Sequence, residues 1–209
     1  MDMGDSVIVL ANTNKKRSLA DSKYNERRGE CEAGLVALQK RMPGKADLAQ
    51  ISPEELERNI DAIEDETIQK RVRHVVEECR RVLESADKLK AGDIEGFGKL
   101  MNNSHESLRD LYEVTGAELD ALASAAWEIE GVLGSRMTGA GFGGCTVSIV
   151  KKDRVEHFID EVGKEYKEKI GYEASFYISD IGDGCHELTD ICSVHDCLPT
   201  YGRKDCIRL

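Results

Sequence analysis

The chain has 209 residues, 33% charged and 40% hydrophobic, which suits one globular domain with a sizeable core. A formal net charge of -11 argues against a non-specific nucleic-acid binder, which needs a basic face, but leaves a nucleotide ligand open because a local loop can outweigh the global field. No apolar run is long enough to span a bilayer, and residues 1–5 have neither a basic flank nor an apolar secretory core, so no membrane contact and a cytoplasmic location are expected.

Residues 6–11 read as a buried strand: short, apolar and β-branched. The polar run 12–22 is a loop. It leads into a helix over 23–41 whose apolar stripe includes Cys31, Leu35 and Leu38, and Met42-Pro43-Gly44 ends it. Ser52-Pro53-Glu54-Glu55 is a helix start, because Ser caps, Pro suits the first turn and a Glu stands three residues after the Ser. The strongest periodicity follows, over 65–89. Ile68, Val72, Val75, Cys79, Val82, Ala86 and Leu89 make one apolar stripe, and the other face, which carries Arg71, Arg73, Glu77 and Arg80, reads as a solvated surface of ion pairs.

Ala91-Gly92-Asp93 breaks the pattern, and a further helix is expected over 94–111 with Phe97, Leu100, Met101, His105 and Leu108 on one side. A short helix over 117–128 is ended by Gly131. A β-branched strand follows at 145–150, then an amphipathic helix over 153–169 using Val155, Phe158, Ile159, Val162 and Tyr166. Ala174, Phe176 and Ile178 alternate with Ser175 and Tyr177, which is strand periodicity. Strands and helices mix without a regular βαβ alternation, so the fold class is α+β.

Most of the functional information lies between the short helix and the next strand. Gly134-Ser135-Arg136-Met137-Thr138-Gly139-Ala140-Gly141-Phe142-Gly143-Gly144 holds five Gly and one Ala in eleven residues and reads as a loop. A tight turn into a strand accounts for a Gly or two. This density suits a backbone that lets a ligand approach closely, with exposed N–H groups forming a concavity for phosphate.

That loop resembles the third signature of the GHMP small-molecule kinases, and further stretches are similar to the galactokinase branch of that family. They are Val7-Ile8-Val9-Leu10-Ala11-Asn12-Thr13-Asn14, Ser22-Lys23-Tyr24-Asn25-Glu26-Arg27-Arg28 with Glu30-Cys31-Glu32, Arg73-His74-Val75-Val76-Glu77, and Ser104-His105-Glu106-Ser107-Leu108-Arg109-Asp110-Leu111-Tyr112-Glu113-Val114. The resemblance covers residues 5–188 and implies a GHMP kinase carboxyl-terminal domain: a ferredoxin-like antiparallel sheet with helices packed on it. It implies phosphorylation of galactose to galactose 1-phosphate with ATP and Mg2+. The family's sugar signature, nucleotide loop, catalytic Asp and its Arg partner have no counterpart here, so the expectation is a fragment, inactive without a separate amino-terminal half. Other readings that stay open are a galactose- and ATP-sensing regulatory module, and a kinase for N-acetylgalactosamine or arabinose.

Carried over residue by residue, the resemblance assigns sugar contact to Tyr24. It assigns the phosphate region to Thr138, Gly139, Ala140, Gly141, Phe142 and Gly143. No catalytic residue and no metal ligand are assigned in this chain. His74 and His105 read as packing or hydrogen-bonding residues, and Arg109 and Arg136 as partners of acidic side chains. Residues 189–209 diverge from the family. Cys192, Cys197 and Cys206 stand near His195 there, but their spacing fits no common zinc pattern, and a disordered tail is expected.

Overall fold

The computed structural model describes residues 3–16, 20–179 and 181–182. In chain order its elements are β1 (Ser6–Asn12), α1 (Ala20–Gln39), α2 (Pro53–Asn59), α3 (Glu66–Lys90), α4 (Ile94–Ser107), α5 (Ala117–Trp127), β2 (Val132–Thr138), β3 (Cys145–Lys151), α6 (Val155–Ile170) and β4 (Ser175–Ser179). The strands form one antiparallel sheet in the order β2-β3-β1-β4. With helices between β1 and β2 and between β3 and β4, this is the ferredoxin-like plan that the resemblance implies.

One face of the sheet carries the apolar core. Alternate residues Val7, Val9 and Ala11 of β1, with Val150 of β3, close against Leu122, Ala125 and Ala126 of α5 and Phe158, Val162 and Tyr166 of α6. The small alanines let α5 lie close to the sheet. Tyr166 is buried, and its hydroxyl donates to the Thr13 carbonyl at 2.7 Å, which fixes the end of β1. The periodicity of 153–169 is therefore borne out as α6, which starts after one 3-10 turn.

A second layer packs α1, α2 and α3 around Leu38, Leu56, Ile63, Val72 and Val76. Helices α1 and α3 approach closely at Gly34, where a Cβ would meet a Val72 methyl at 2.2 Å. Ser52 and Glu55 form the expected capping box at the start of α2.

Helix α4 joins the layers by lying on β2. Gly98 and Gly134 bring the backbones together, since a Cβ on Gly98 would stand 2.0 Å from the Leu133 carbonyl oxygen. β2 is an edge strand, and α4 and α5 satisfy polar groups that would otherwise stay unpaired. The Ser135 N–H donates to Asn102 Oδ1 at 2.8 Å, the Met137 N–H to His105 Nδ1 at 3.0 Å, and Trp127 Nε1 to the Ser135 carbonyl at 3.0 Å.

Three sequence expectations need correction. Residues 134–138 are strand, not loop, because β3 and α4 complete their hydrogen bonds, so the glycine loop proper runs from 139 to 144. Arg71 is not on a solvated face but only 2% exposed. The apolar stripe of α3 is buried at Val72 but leaves Val82 60% exposed, beside a groove of about 340 Å³ that Ala86, Leu89, Phe97, Leu100 and Met101 also line. The strand periodicity of 174–178 is borne out as β4, the other edge strand, where Ala174 and Phe176 pack against the core and Ile178 is exposed. Cys31, Cys79 and Cys145 are half-buried free thiols. The tail, 189–209, with Cys192, Cys197, Cys206 and His195, lies outside the described residues.

Candidate functional site

The glycine loop folds as a run of left-handed backbone. Gly139, Gly141, Gly143 and Gly144 have φ of +85°, +82°, +119° and +94°, and Phe142 joins them at +57°. Gly139 and Ala140 form the exposed tip, while Gly141 and Gly143 are buried. Glycine at 141 is required twice over: by its φ, and because a Cβ would lie 2.2 Å from the Val114 carbonyl oxygen. Phe142 tolerates its conformation because its neighbours hold it. Its N–H donates to the Val114 carbonyl at 2.7 Å, and its ring packs with Val114, Leu119 and Met137. The Gly144 carbonyl accepts from the Thr13 N–H at 2.8 Å and from Thr13 Oγ1 at 2.9 Å, which ties the loop to the end of β1. Thr138, expected in the loop, is the last residue of β2.

Val114 belongs to a short strap between α4 and α5. Helix α4 widens into one π-helical turn, Leu108–Tyr112, and the chain then reverses at Glu113 with φ +55°, ψ +53°. Two buried arginines hold that reversal. Arg71 donates from Nη1 to the Leu111 carbonyl at 2.5 Å, from Nη2 to Glu113 at 2.8 Å, and from Nε to Glu30 at 3.0 Å. Arg27 donates from Nε to the Tyr112 carbonyl at 2.7 Å and from Nη1 to Glu30 at 2.9 Å. Burial works against the Arg71 charge, but the hydrogen bonds and charges of Glu113 and Glu30 outweigh it and raise the pKa. Hydrogen bonding to Arg71 in turn holds the Glu113 carboxylate below its usual range, against a small desolvation.

Tyr24 stands on the first turns of α1, one turn before Arg27, and is 56% exposed. The pKa of the Tyr112 phenol is raised by burial first and then by Cys31, with Tyr24 a minor contributor. Arg27, one turn after Tyr24 on α1, bonds the strap at Tyr112, and the strap at Val114 bonds the glycine loop at Phe142.

His74, His105, Arg109 and Arg136 make their polar contacts within the fold. His74 stacks on Tyr112 with ring centroids 4.5 Å apart and pairs through Nδ1 with Ser107 Oγ at 2.8 Å. His105 accepts the Met137 N–H on Nδ1, so its Nε2 carries the proton and donates to Asp120 at 3.2 Å. Arg109 pairs with Asp110 at 2.8 Å, and Arg136 lies 3.7 Å from Glu78. Among the described residues no group of His, Cys, Asp and Glu is arranged to hold a metal ion. No helix among them is long and apolar enough to cross a membrane.

Sequence reasoning missed Lys15. Its aliphatic stem lies against Gly143, 3.2 Å from where a Cβ would stand, and its ammonium pairs with Glu118 at 2.9 Å. Burial alone would raise the Glu118 pKa, but the bond from Lys15 overrides it and the pKa falls. Lys15 lies in a polar run with no periodicity, and its place beside the loop comes from the strand connection alone.

Known proteins bear on this geometry. Residues 85–168 match the family model for the GHMP kinases C terminal. A galactokinase of Ligilactobacillus salivarius is 54% identical over 188 residues, covering 90% of this chain and 48% of the relative. A galactokinase of Clostridium acetobutylicum is 56% identical over the same length, again covering 90% and 48%. Among solved structures, Lactococcus lactis galactokinase complexed with galactose superposes with a TM-score of 0.85 at 49% identity, covering 88% of this chain and 47% of that one. The chain spans about half the length of the curated relatives it matches.

Proposed function

We propose that this chain, whose residues 85–168 match the carboxyl-terminal model of the GHMP kinases, forms one wall of a galactokinase cleft, with the domain extending over residues 5–188. The reaction is phosphoryl transfer from ATP to the anomeric hydroxyl of galactose. The observation that carries this reading is the likeness to galactokinases over nine-tenths of the chain, with an intact glycine loop at its centre.

Tyr24 is the sugar-contacting residue in this reading. Its phenol is exposed on a helix pinned from below, free to donate a hydrogen bond and to lay its ring on a sugar face. Residues 138–143 shape the phosphate region. The exposed tip at Gly139 and Ala140 lets a ligand approach the backbone, and the buried glycines fix that tip's position. ATP with Mg2+ supplies the phosphoryl group and its charge neutralisation. The acid–base work and the nucleotide loop belong to an amino-terminal half acting as partner, and no residue of this chain is assigned to the chemical step. Phosphoryl transfer depends on alignment and charge stabilisation, so a wall that positions the acceptor contributes directly to the rate.

The test mixes this chain with a separately expressed amino-terminal half of the Clostridium acetobutylicum relative and follows galactose 1-phosphate formation. Turnover is expected from the pair and from neither part alone. In the pair, Tyr24→Phe raises the KM for galactose more than that for ATP. A pair that phosphorylates no galactose, or a chain that turns over unaided, overturns the reading.

A further inference from the structure

Arg71 is an unusual residue to find at 2% exposure, because an unpaired guanidinium is expensive to desolvate and even a paired one is weak support for stability. Its three bonds run in three directions. One goes to Glu30 on α1, one to the Leu111 carbonyl and one to the Glu113 carboxylate. Each contact reaches a part of the chain that leads to the candidate site.

On one side, Glu30 accepts from both Arg71 and Arg27, and Arg27 lies one turn after Tyr24. On the other, Glu113 is a non-glycine residue in left-handed conformation, which persists only where its surroundings over-determine it. Arg71 grips its side chain, and Arg27 reaches its carbonyl at 3.5 Å and that of Tyr112 at 2.7 Å. The next residue, Val114, turns its carbonyl to the Phe142 N–H and to the face of Gly141. Phe142 is itself left-handed, so one hydrogen bond joins a left-handed residue of the loop to the residue that follows left-handed Glu113. From the Arg71 guanidinium to the glycine loop there is no step that is not a direct contact.

We propose that Arg71 is a positioning residue: by holding Glu30 and the strap at residues 111–114, it sets the glycine loop relative to the helix that presents Tyr24. The functional half of this statement rests on the proposed galactokinase reading, and the structural half does not.

The experiment has two arms and two variants. Arg71→Lys keeps the charge but gathers its donors on one nitrogen, which cannot span the acceptors that the guanidinium reaches from Nε, Nη1 and Nη2. Glu113→Gly removes the grip at an exposed position while relieving the left-handed strain, so it folds even where an Arg71 variant does not. In the first arm, amide hydrogen exchange is read on the 209-residue chain. Both variants are expected to speed exchange of the Phe142 N–H by about tenfold or more, with the N–H groups of β3 unchanged. In the second arm, each variant is assayed in the pair with the amino-terminal half. There kcat is expected to fall and the galactose KM to rise, by roughly tenfold to a hundredfold in kcat/KM, since small misplacements carry such losses. A purely structural Glu113 predicts the opposite for Glu113→Gly: a more stable chain with unchanged kinetics.

Unchanged protection of Phe142 in Glu113→Gly overturns the proposal, and so do unchanged kinetics in an active pair. If the wild-type pair is inactive on galactose, the galactokinase reading falls, and the exchange arm alone supports or overturns the coupling of Arg71 to the loop.

Discussion

Phe158, 1% exposed, and Arg71, 2% exposed, are buried to the same degree in the two layers of the molecule. Phe158 lies among the aliphatic side chains of α5, α6 and β1, and meets Phe176 edge-on with ring centroids 6.1 Å apart. Arg71 lies among carboxylates and backbone carbonyls. The first environment is non-directional. It rewards filled volume and absorbs small changes of shape. The second is directional, because each donor must find one acceptor at one angle, and a missing partner leaves a desolvated charge. The sheet layer therefore provides the scaffold, and the helical layer sets register between segments that are far apart in sequence.

The largest expected effect breaks the directional side. Arg71→Ala removes the donor to the Leu111 carbonyl and to Glu113 and leaves Glu30 with Arg27 alone, and should cost about 3–5 kcal/mol in urea unfolding. The next sharpens the contrast through pH. His74, buried against Tyr112, has its pKa lowered from 6.5 to about 4, first by burial and then by Arg81 and Arg71, with Glu78 opposing. The unfolded chain takes up this proton before the folded one does, so stability is lost as pH falls from 6.5 towards 4 and the loss levels off below. The full effect is about 3 kcal/mol by linkage, and His74→Gln should flatten that segment of the stability profile. A profile of unchanged slope in His74→Gln would remove His74 from the account. The smallest effect belongs to the apolar side. Phe158→Leu keeps the pattern and most of the volume, and should cost about 1 kcal/mol. If it proves more damaging than Arg71→Ala, the distinction between the layers is wrong.

Much of the fold was legible in the chain. The Ser52 capping box, the stripe of α6 and the β-branched run of β1 are local signals, and each appears where its pattern places it. β2 was not legible. Val132-Leu133-Gly134-Ser135-Arg136-Met137-Thr138 alternates poorly, carries a glycine and contains a register shift near its start, and its polar groups find partners on α4 and α5. Val82 shows the reverse failure, since a perfect helical period says which residues share a face but not where the neighbouring helix stops covering it.

The candidate site divides in the same way. Composition alone marked residues 134–144 as a place of unusual backbone, because only glycine takes up left-handed angles freely; the structure confines that backbone to 139–144, where four of the five left-handed positions are glycine. Nothing local marked Phe142 as the fifth, Lys15 as the loop's neighbour, or Arg71 as the residue beneath the strap. Arg71 falls between apolar stripe and charged face, and a periodic reading gives it to solvent. Backbone conformation and helical amphipathicity are properties of a few adjacent residues, so the sequence carries them directly. The pairing of a buried guanidinium with Glu30, 41 positions away, and Glu113, 42 positions away, exists only once three segments have packed, and that is what the tertiary structure decided.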